Sequence, residues 1–216
     1  MANLAIPFSL SDILERVIPG SLLLTLSGIA FHDSILIPGA LVSSPLIYAA
    51  FLACSYALGV SLNSLSDVVK IKGYRTYWST EPSAMERAVR HAFEAHFGIP
   101  PDNNSWRLCF GTVIKQGYGA NTQLFLGLEV FCRAMFVACS LASASFIGAF
   151  ALAWERGSPF VSLLIWTVFL LAFSYLFRRG AKNYSQAFVG SIYEGFFNWV
   201  CDEKARAPAK LPEPKI

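Results

Sequence analysis

"PFVSLLIWTVFLLAFSYLF", residues 159–177, runs for 19 residues without a charged side chain. As a helix it would span about 28 Å at 1.5 Å per residue, which matches the hydrocarbon thickness of a bilayer. Leu41 to Leu65 is uncharged over 25 residues, and Ala134 to Trp154 over 21. A fourth run, Val17 to Phe31, has only 15 residues before His32 and Asp33, so it must borrow Ile35 to Ile37 or begin from an amphipathic lead. The composition agrees with a lipid environment. Of 216 residues 55% are apolar and 14% charged, against roughly 25% charged in ordinary soluble domains. The expected fold is all-α: an integral membrane four-helix bundle with spans near 17–37, 41–65, 130–154 and 159–177.

Lys and Arg set the expected orientation. Residues 66–133 hold eight, the tail after 177 seven, the N-terminal arm only Arg16, and the turn near 155–158 only Arg156. Positive residues accumulate on the cytoplasmic side, so both termini and the long connection are expected there, in a multi-pass protein of the cell inner membrane. Residues 1–10 contain no Lys or Arg, and the apolar run begins late without a small-residue cleavage site, which argues against a secretory signal.

Outside the spans, helical periodicity continues. "FSLSDILERVI", residues 8–18, reads as an interfacial lead-in with Asp12 as N-cap and Glu15 three later, and Pro19-Gly20 as the turn into the bilayer. Residues 66–123 read as a small helical cytoplasmic element: an amphipathic helix over 82–97 capped by Ser79 or Thr80 and closed by Pro100-Pro101, then a second helix after Asn104 and Ser105. Residues 178–203 read as an amphipathic C-terminal helix with Phe188, Ile192, Phe196 and Trp199 on one side, able to pack on the other helices or lie on the membrane. Residues 204–216, with three prolines and no aromatic, are expected to be disordered.

Small residues recur at helical spacing inside two spans. Ser55, Gly59 and Asn63 lie four apart in the second, and Ala138, Ala142, Ser145 and Ala149 line one face of the third, so these are the expected helix-packing positions. Glu129 and Arg133, four apart where the third span leaves lipid, are expected to form a hydrated interfacial ion pair. Arg178, Arg179 and Lys182 follow the fourth span and suit lipid headgroups, while Lys70, Lys72 and Arg75 with Tyr74, Tyr77 and Trp78 form a comparable belt after the second. The five cysteines lack metal spacing, and no cofactor or metal site is expected. A net charge of +3 with interleaved acids does not indicate nucleic-acid binding.

One stretch has an enzyme-like pattern. "RAVRHAFEAHFG", residues 87–98, spaces Arg90 and His96 as in the Arg-x5-His signature of metal-independent RNA-cleaving helical domains. On a helix these two lie about 240° apart. Arg90 is instead expected in solvent, flanked by Glu86 and Glu94 at four-residue spacing, with Val89, Phe93 and Phe97 buried.

The order of Pro19-Gly20, "SYALGVSLNSLSDVV" (residues 55–69), Glu129 to Arg133 and "RRGAKNYSQAFVGSIYEGF" (residues 178–196) resembles small uncharacterised bacterial four-span membrane proteins. Some proteins of that build look like membrane accessories of anti-phage and CRISPR systems. The resemblance implies a membrane effector or accessory, and the small-residue stripes lead to the expectation that it is non-enzymatic, self-associates as a homo-oligomer, meets membrane lipids and binds a cytoplasmic protein partner. The alternatives are an RNA-cleaving enzyme using Arg90 and His96, and a channel or transporter component, which the lack of mid-span charge disfavours.

Overall fold

The computed structural model describes residues 12–31, 45–68, 78, 81–102, 104–155 and 161–206. Every regular element among them is helical: a π-helical turn at Ile13–Val17, then α1 (Ile18–Ala30), α2 (Pro45–Val68), α3 (Ala84–Phe97), α4 (Trp106–Lys115), α5 (Ala120–Glu155) and α6 (Val161–Arg206). Among the described residues four stretches are long and apolar enough to cross a membrane: Ile13–Ala30, Ile47–Val68, Asn121–Trp154 and Val161–Ala205. The contacts divide the chain into two units, Met1–Gly73 with Gly127–Asn183, and Tyr74–Leu126 with Tyr184–Ile216.

The first unit starts differently from the expected lead-in and turn. The chain does not break at Pro19-Gly20 but runs as one helix from Ile13 to Ala30. A proline inside a helix lacks an N–H and crowds the carbonyl four residues earlier. The five residues before α1 relieve this by widening into a π turn, in which the Ile18 N–H reaches the Ile13 carbonyl. Asp12 has helical dihedrals and makes no side-chain cap; its carboxylate accepts from Arg16 Nη1 at 2.7 Å instead.

Gly20 explains why α1 and α2 come so close. A Cβ at residue 20 would lie 1.8 Å from the Ser55 carbonyl oxygen, and one at residue 59 would lie 1.8 Å from the Arg16 carbonyl oxygen. The two backbones therefore meet through reciprocal glycine contacts, the close approach that a residue without a Cβ permits. Ala138 packs with Val137 and Leu62, while Ala142 and Phe146 pack with Leu26 and Leu170. The buried small residues of α5 are thus used within the chain.

Hydroxyl groups in these helices are largely satisfied locally. Ser61, Ser64, Ser140, Ser143 and Thr167 each donate to the carbonyl four residues earlier, the usual way a helix interior carries serine and threonine. Ser140 also meets Ser174 at 2.8 Å, and Ser27 meets Ser145 at 3.3 Å.

The second unit has one core. Val89, Phe93, Trp106, Cys109 and Val113 from α3 and α4 close against Phe188, Ile192, Tyr193 and Phe196 from α6. Of the two expectations for the C-terminal amphipathic stretch, the structure takes packing on the other helices. It is also not a separate helix: α6 continues without interruption from Val161 to Arg206. No proline interrupts it, and a lone glycine costs an internal helical position only about 1 kcal/mol. Lys204, Ala205 and Arg206, expected in the disordered tail, end this helix.

The start of α3 also differs in detail. Its cap is Ser83, whose Oγ accepts from the Glu86 N–H at 3.1 Å while Glu86 Oε2 accepts from the Ser83 N–H at 2.7 Å. Gly98, with φ 70°, closes the helix in the left-handed region. Ser79, Thr80, the Lys70 to Tyr77 belt, Arg156, residues 32–44 and residues 207–216 lie outside the described residues.

Candidate functional site

Among the described residues of the first unit, charged side chains from three helices converge. Asp12 comes with Glu15 and Arg16 of the π turn; the middle and end of α2 bring Tyr56, Asn63 and Asp67; the first half of α5 brings Glu129 and Arg133. Arg16 Nη1 donates to the Tyr56 hydroxyl at 2.6 Å as well as to Asp12, and its guanidinium lies 5.5 Å from the Tyr56 ring centroid. Asn63 Nδ2 donates to the Glu15 carbonyl at 3.2 Å. The Glu15 carboxylate reaches α5, with Oε1 3.1 Å from where a Cβ on Gly127 would stand.

Glu129 and Arg133 do sit on one helix face, but their surroundings differ from the hydrated pair expected. The Glu129 side chain is 2% exposed and Arg133 15%, with 3.9 Å between Nη1 and Oε1. The nearer partner of Arg133 is Asp67, whose carboxylate accepts from Nη2. The same Nη2 donates to the Ser66 carbonyl at 3.3 Å. Arg133 thereby supplies a cation to the C-terminal end of α2, where the helix dipole favours one.

Sequence reading missed Asp67. Its signal was positional: it is the first charge after the second apolar run, and Arg133 is the last before the third. In neighbouring antiparallel helices such flanking charges fall at the same end.

The packing positions distribute as follows. Ser55, Ala138, Ala142 and Ala149 are buried and Gly59 lies against the Arg16 backbone, whereas Asn63 and Ser145 are half-buried. Arg178, Arg179 and Lys182 are all exposed on α6. A groove of about 530 Å³ with an apolar lining opens beside Leu23, Leu24, Leu58, Leu141 and Ala144.

In the second unit Arg90 and His96 go to different partners. The Arg90 guanidinium lies 5.3 Å from the Trp78 ring centroid, and Trp78 in turn is held by Tyr193, 4.8 Å away between centroids, and by the Asp102 carbonyl, 3.0 Å from its Nε1. His96 is edge-on to Phe97, Phe196 and Trp199 at 4.7, 5.5 and 5.2 Å. Among the described residues the Arg90 side chain makes no hydrogen bond or ion pair, so the anticipated Glu86–Arg90 and Arg90–Glu94 pairs do not form. Glu86 is committed to capping α3, and Arg90 is half-buried over Trp78 rather than free in solvent.

Two further titratable groups of this unit have physical explanations. Burial pushes the Cys109 thiol up to about 12, which makes it a packing group and not a thiolate nucleophile. The Asp102 carboxyl is held below the usual aspartate range, chiefly by the Ser105 hydroxyl at 2.7 Å and then by the Asn104 N–H at 2.9 Å. Ser105 turns towards Asp102 and makes no side-chain cap on α4. Among the described residues no group of three or more His, Cys, Asp or Glu side chains could hold a metal ion.

No protein-family model matches this chain, and neither curated proteins nor solved structures give a significant match.

Proposed function

We propose that this is a multi-pass inner-membrane protein in which four spans form a bundle and the second unit works in the cytoplasm, as a non-enzymatic effector or accessory that self-associates and binds a protein partner. The observation that carries the reading is where large apolar side chains are exposed. Among the described residues of the second unit only Met85, Ile99, Leu108 and Leu124 are of this kind. The first unit exposes them along every long helix, from Ile29 on α1 through Phe51 and Leu52 on α2 and Ile147 on α5 to Val161, Ile165 and Val168 on α6. A surface so apolar suits lipid, and the second unit's suits water.

Self-association has its own support. Ala144 and Gly148, four apart on α5, are exposed, and Ala144 lines the open groove beside Leu23, Leu24 and Leu58. Small residues at that spacing allow close helix approach between copies. The basic tail and long connection favour cytoplasmic termini.

Carbonate extraction combined with reporter fusions after residues 31, 80, 158 and 206 tests the topology. The chain should stay in the pellet, with fusions at 80 and 206 reporting cytoplasm. Release by carbonate would sink the membrane reading. Cysteine crosslinking at residues 144 and 148 tests self-association, and a strictly monomeric result would remove it. An RNA-cleavage assay on the purified chain tests the enzymatic alternative: activity abolished by both Arg90→Ala and His96→Ala would replace the non-enzymatic reading.

A further inference from the structure

Successive residues on a helix turn by about 100°. On α6 this puts Val161, Leu164, Val168, Leu171 and Tyr175 on one face, where they are 64, 53, 61, 51 and 65% exposed. Arg178, Arg179 and Lys182 continue the same face, and all three are exposed. From Val161 to Tyr175 the apolar strip is about 21 Å long at 1.5 Å per residue, and the first cation follows one turn later.

The rotation of the helix about its axis is fixed by its other side. Leu170, Ser174 and Ala181 are buried, and a Cβ on Gly180 would lie 3.2 Å from Cys132 Sγ. The cations therefore cannot turn inward. Among the described residues Arg178 and Arg179 make no hydrogen bond or ion pair, and no acidic residue occurs on α6 before Glu194.

We propose that Tyr175, Arg178, Arg179 and Lys182 form a docking surface for the headgroups of anionic phospholipids. This rests on the membrane-spanning reading above. The order along the face, apolar then tyrosine then cations, follows the order met on leaving a bilayer: acyl chains, interface, phosphate. Guanidinium groups bind phosphate in a two-pronged geometry. Phosphate is common to all phospholipids, so selectivity comes from net charge: an anionic headgroup brings no cation of its own to this basic cluster, whereas a zwitterionic one sets its ammonium against it.

The test uses the full chain reconstituted in vesicles of equal parts phosphatidylcholine and phosphatidylglycerol, with the lipid retained around the protein measured after gentle extraction. The expected result is a several-fold enrichment of phosphatidylglycerol that falls as salt is raised. It should be lost in R178Q/R179Q/K182Q while that variant stays carbonate-resistant. If the triple variant does not accumulate, R178Q alone and the salt series on the unaltered chain decide. Retained lipid matching the input ratio, enrichment insensitive to salt, or enrichment surviving in the triple variant would each overturn the proposal. So would efficient crosslinking between copies through Tyr175→Cys, because a second copy would then cover the face. Release of the unaltered chain by carbonate would instead defeat the membrane reading on which the proposal rests.

Discussion

Gly59 and Arg16 meet backbone to side-chain-less backbone, with 1.8 Å between the place a Cβ would occupy on Gly59 and the Arg16 carbonyl oxygen. Gly20 stands in the same relation to Ser55. Because the obstructing atoms are main chain, no rotamer change can make room. Gly59→Ala and Gly20→Ala should each destabilise the first unit by about 1–3 kcal/mol, the usual range for overpacking, or more. Thermal unfolding in detergent measures this, and Gly28→Ala is the control: nothing lies within 4 Å of a Cβ there. Equal behaviour of the three variants would contradict the reciprocal contact.

Arg133 should matter through the buried carboxylate it faces. Arg133→Ala leaves Glu129, 2% exposed, without this cation, and breaking a buried pair in that way costs about 3 kcal/mol or more. Adding Glu129→Gln should recover part of the loss. Asp67, 71% exposed, should cost below about 1 kcal/mol when changed to Asn. A double-mutant cycle on detergent-solubilised protein would read all three, and additive losses at residues 129 and 133 would refute the coupling.

Arg90 and His96 should act independently. Arg90→Ala removes the stacking on Trp78, and an exposed or half-buried cation–π contact is worth about 0.5–1 kcal/mol. His96→Ala removes the edge contacts to Phe196 and Trp199. With different partners, their combined effect on unfolding should be additive within about 0.5 kcal/mol. A larger interaction energy would mean that the two side chains share a site.

Acid should loosen the turn at residues 102–105. The Asp102 pKa is lowered in the folded chain, so its ionised form contributes stability that is fully present above the ordinary aspartate range and is lost as pH falls through the folded value. Asp102→Asn should therefore differ from the unaltered chain at neutral pH and converge with it on acidification. Amide hydrogen exchange at Asn104 and Ser105 across that range is the measurement; a gap independent of pH would show that the carboxylate's charge is not what holds the turn.

The helical class, the four apolar stretches and the aromatic side of α6 were legible because each is a periodic or compositional property of a contiguous segment. Phe188, Ile192 and Phe196 repeat at four-residue spacing, and that spacing survives any tertiary arrangement. What escaped was set by contact across the chain. Pro19-Gly20 reads locally as a turn; only the Ser55 backbone opposite reveals why residue 20 is glycine, although the four-residue spacing of Ser55 and Gly59 hinted at a close approach. Ser83 and Glu86 carry the S-x-x-E cap signature in plain view, yet Ser79 and Thr80 competed for it upstream of Pro82. Arg90 looked solvated because its four-residue neighbours are acids. Trp78, twelve positions away, determines its surroundings instead.

The core of the second unit joins segments made at very different times during synthesis. Val89, Phe93, Trp106 and Val113 are completed by Phe188, Ile192 and Phe196, with Val200 the last core residue to be made. At ribosomal rates of about 5–20 residues per second, the apolar sides of α3 and α4 wait roughly 4 to 17 s for the end of α6 to be translated. Two stretches long enough to span a bilayer are made in that interval. Until it ends, the apolar sides of α3 and α4 lack the side chains that close the core in the finished chain, so this core is completed only after nearly all of the chain has been made.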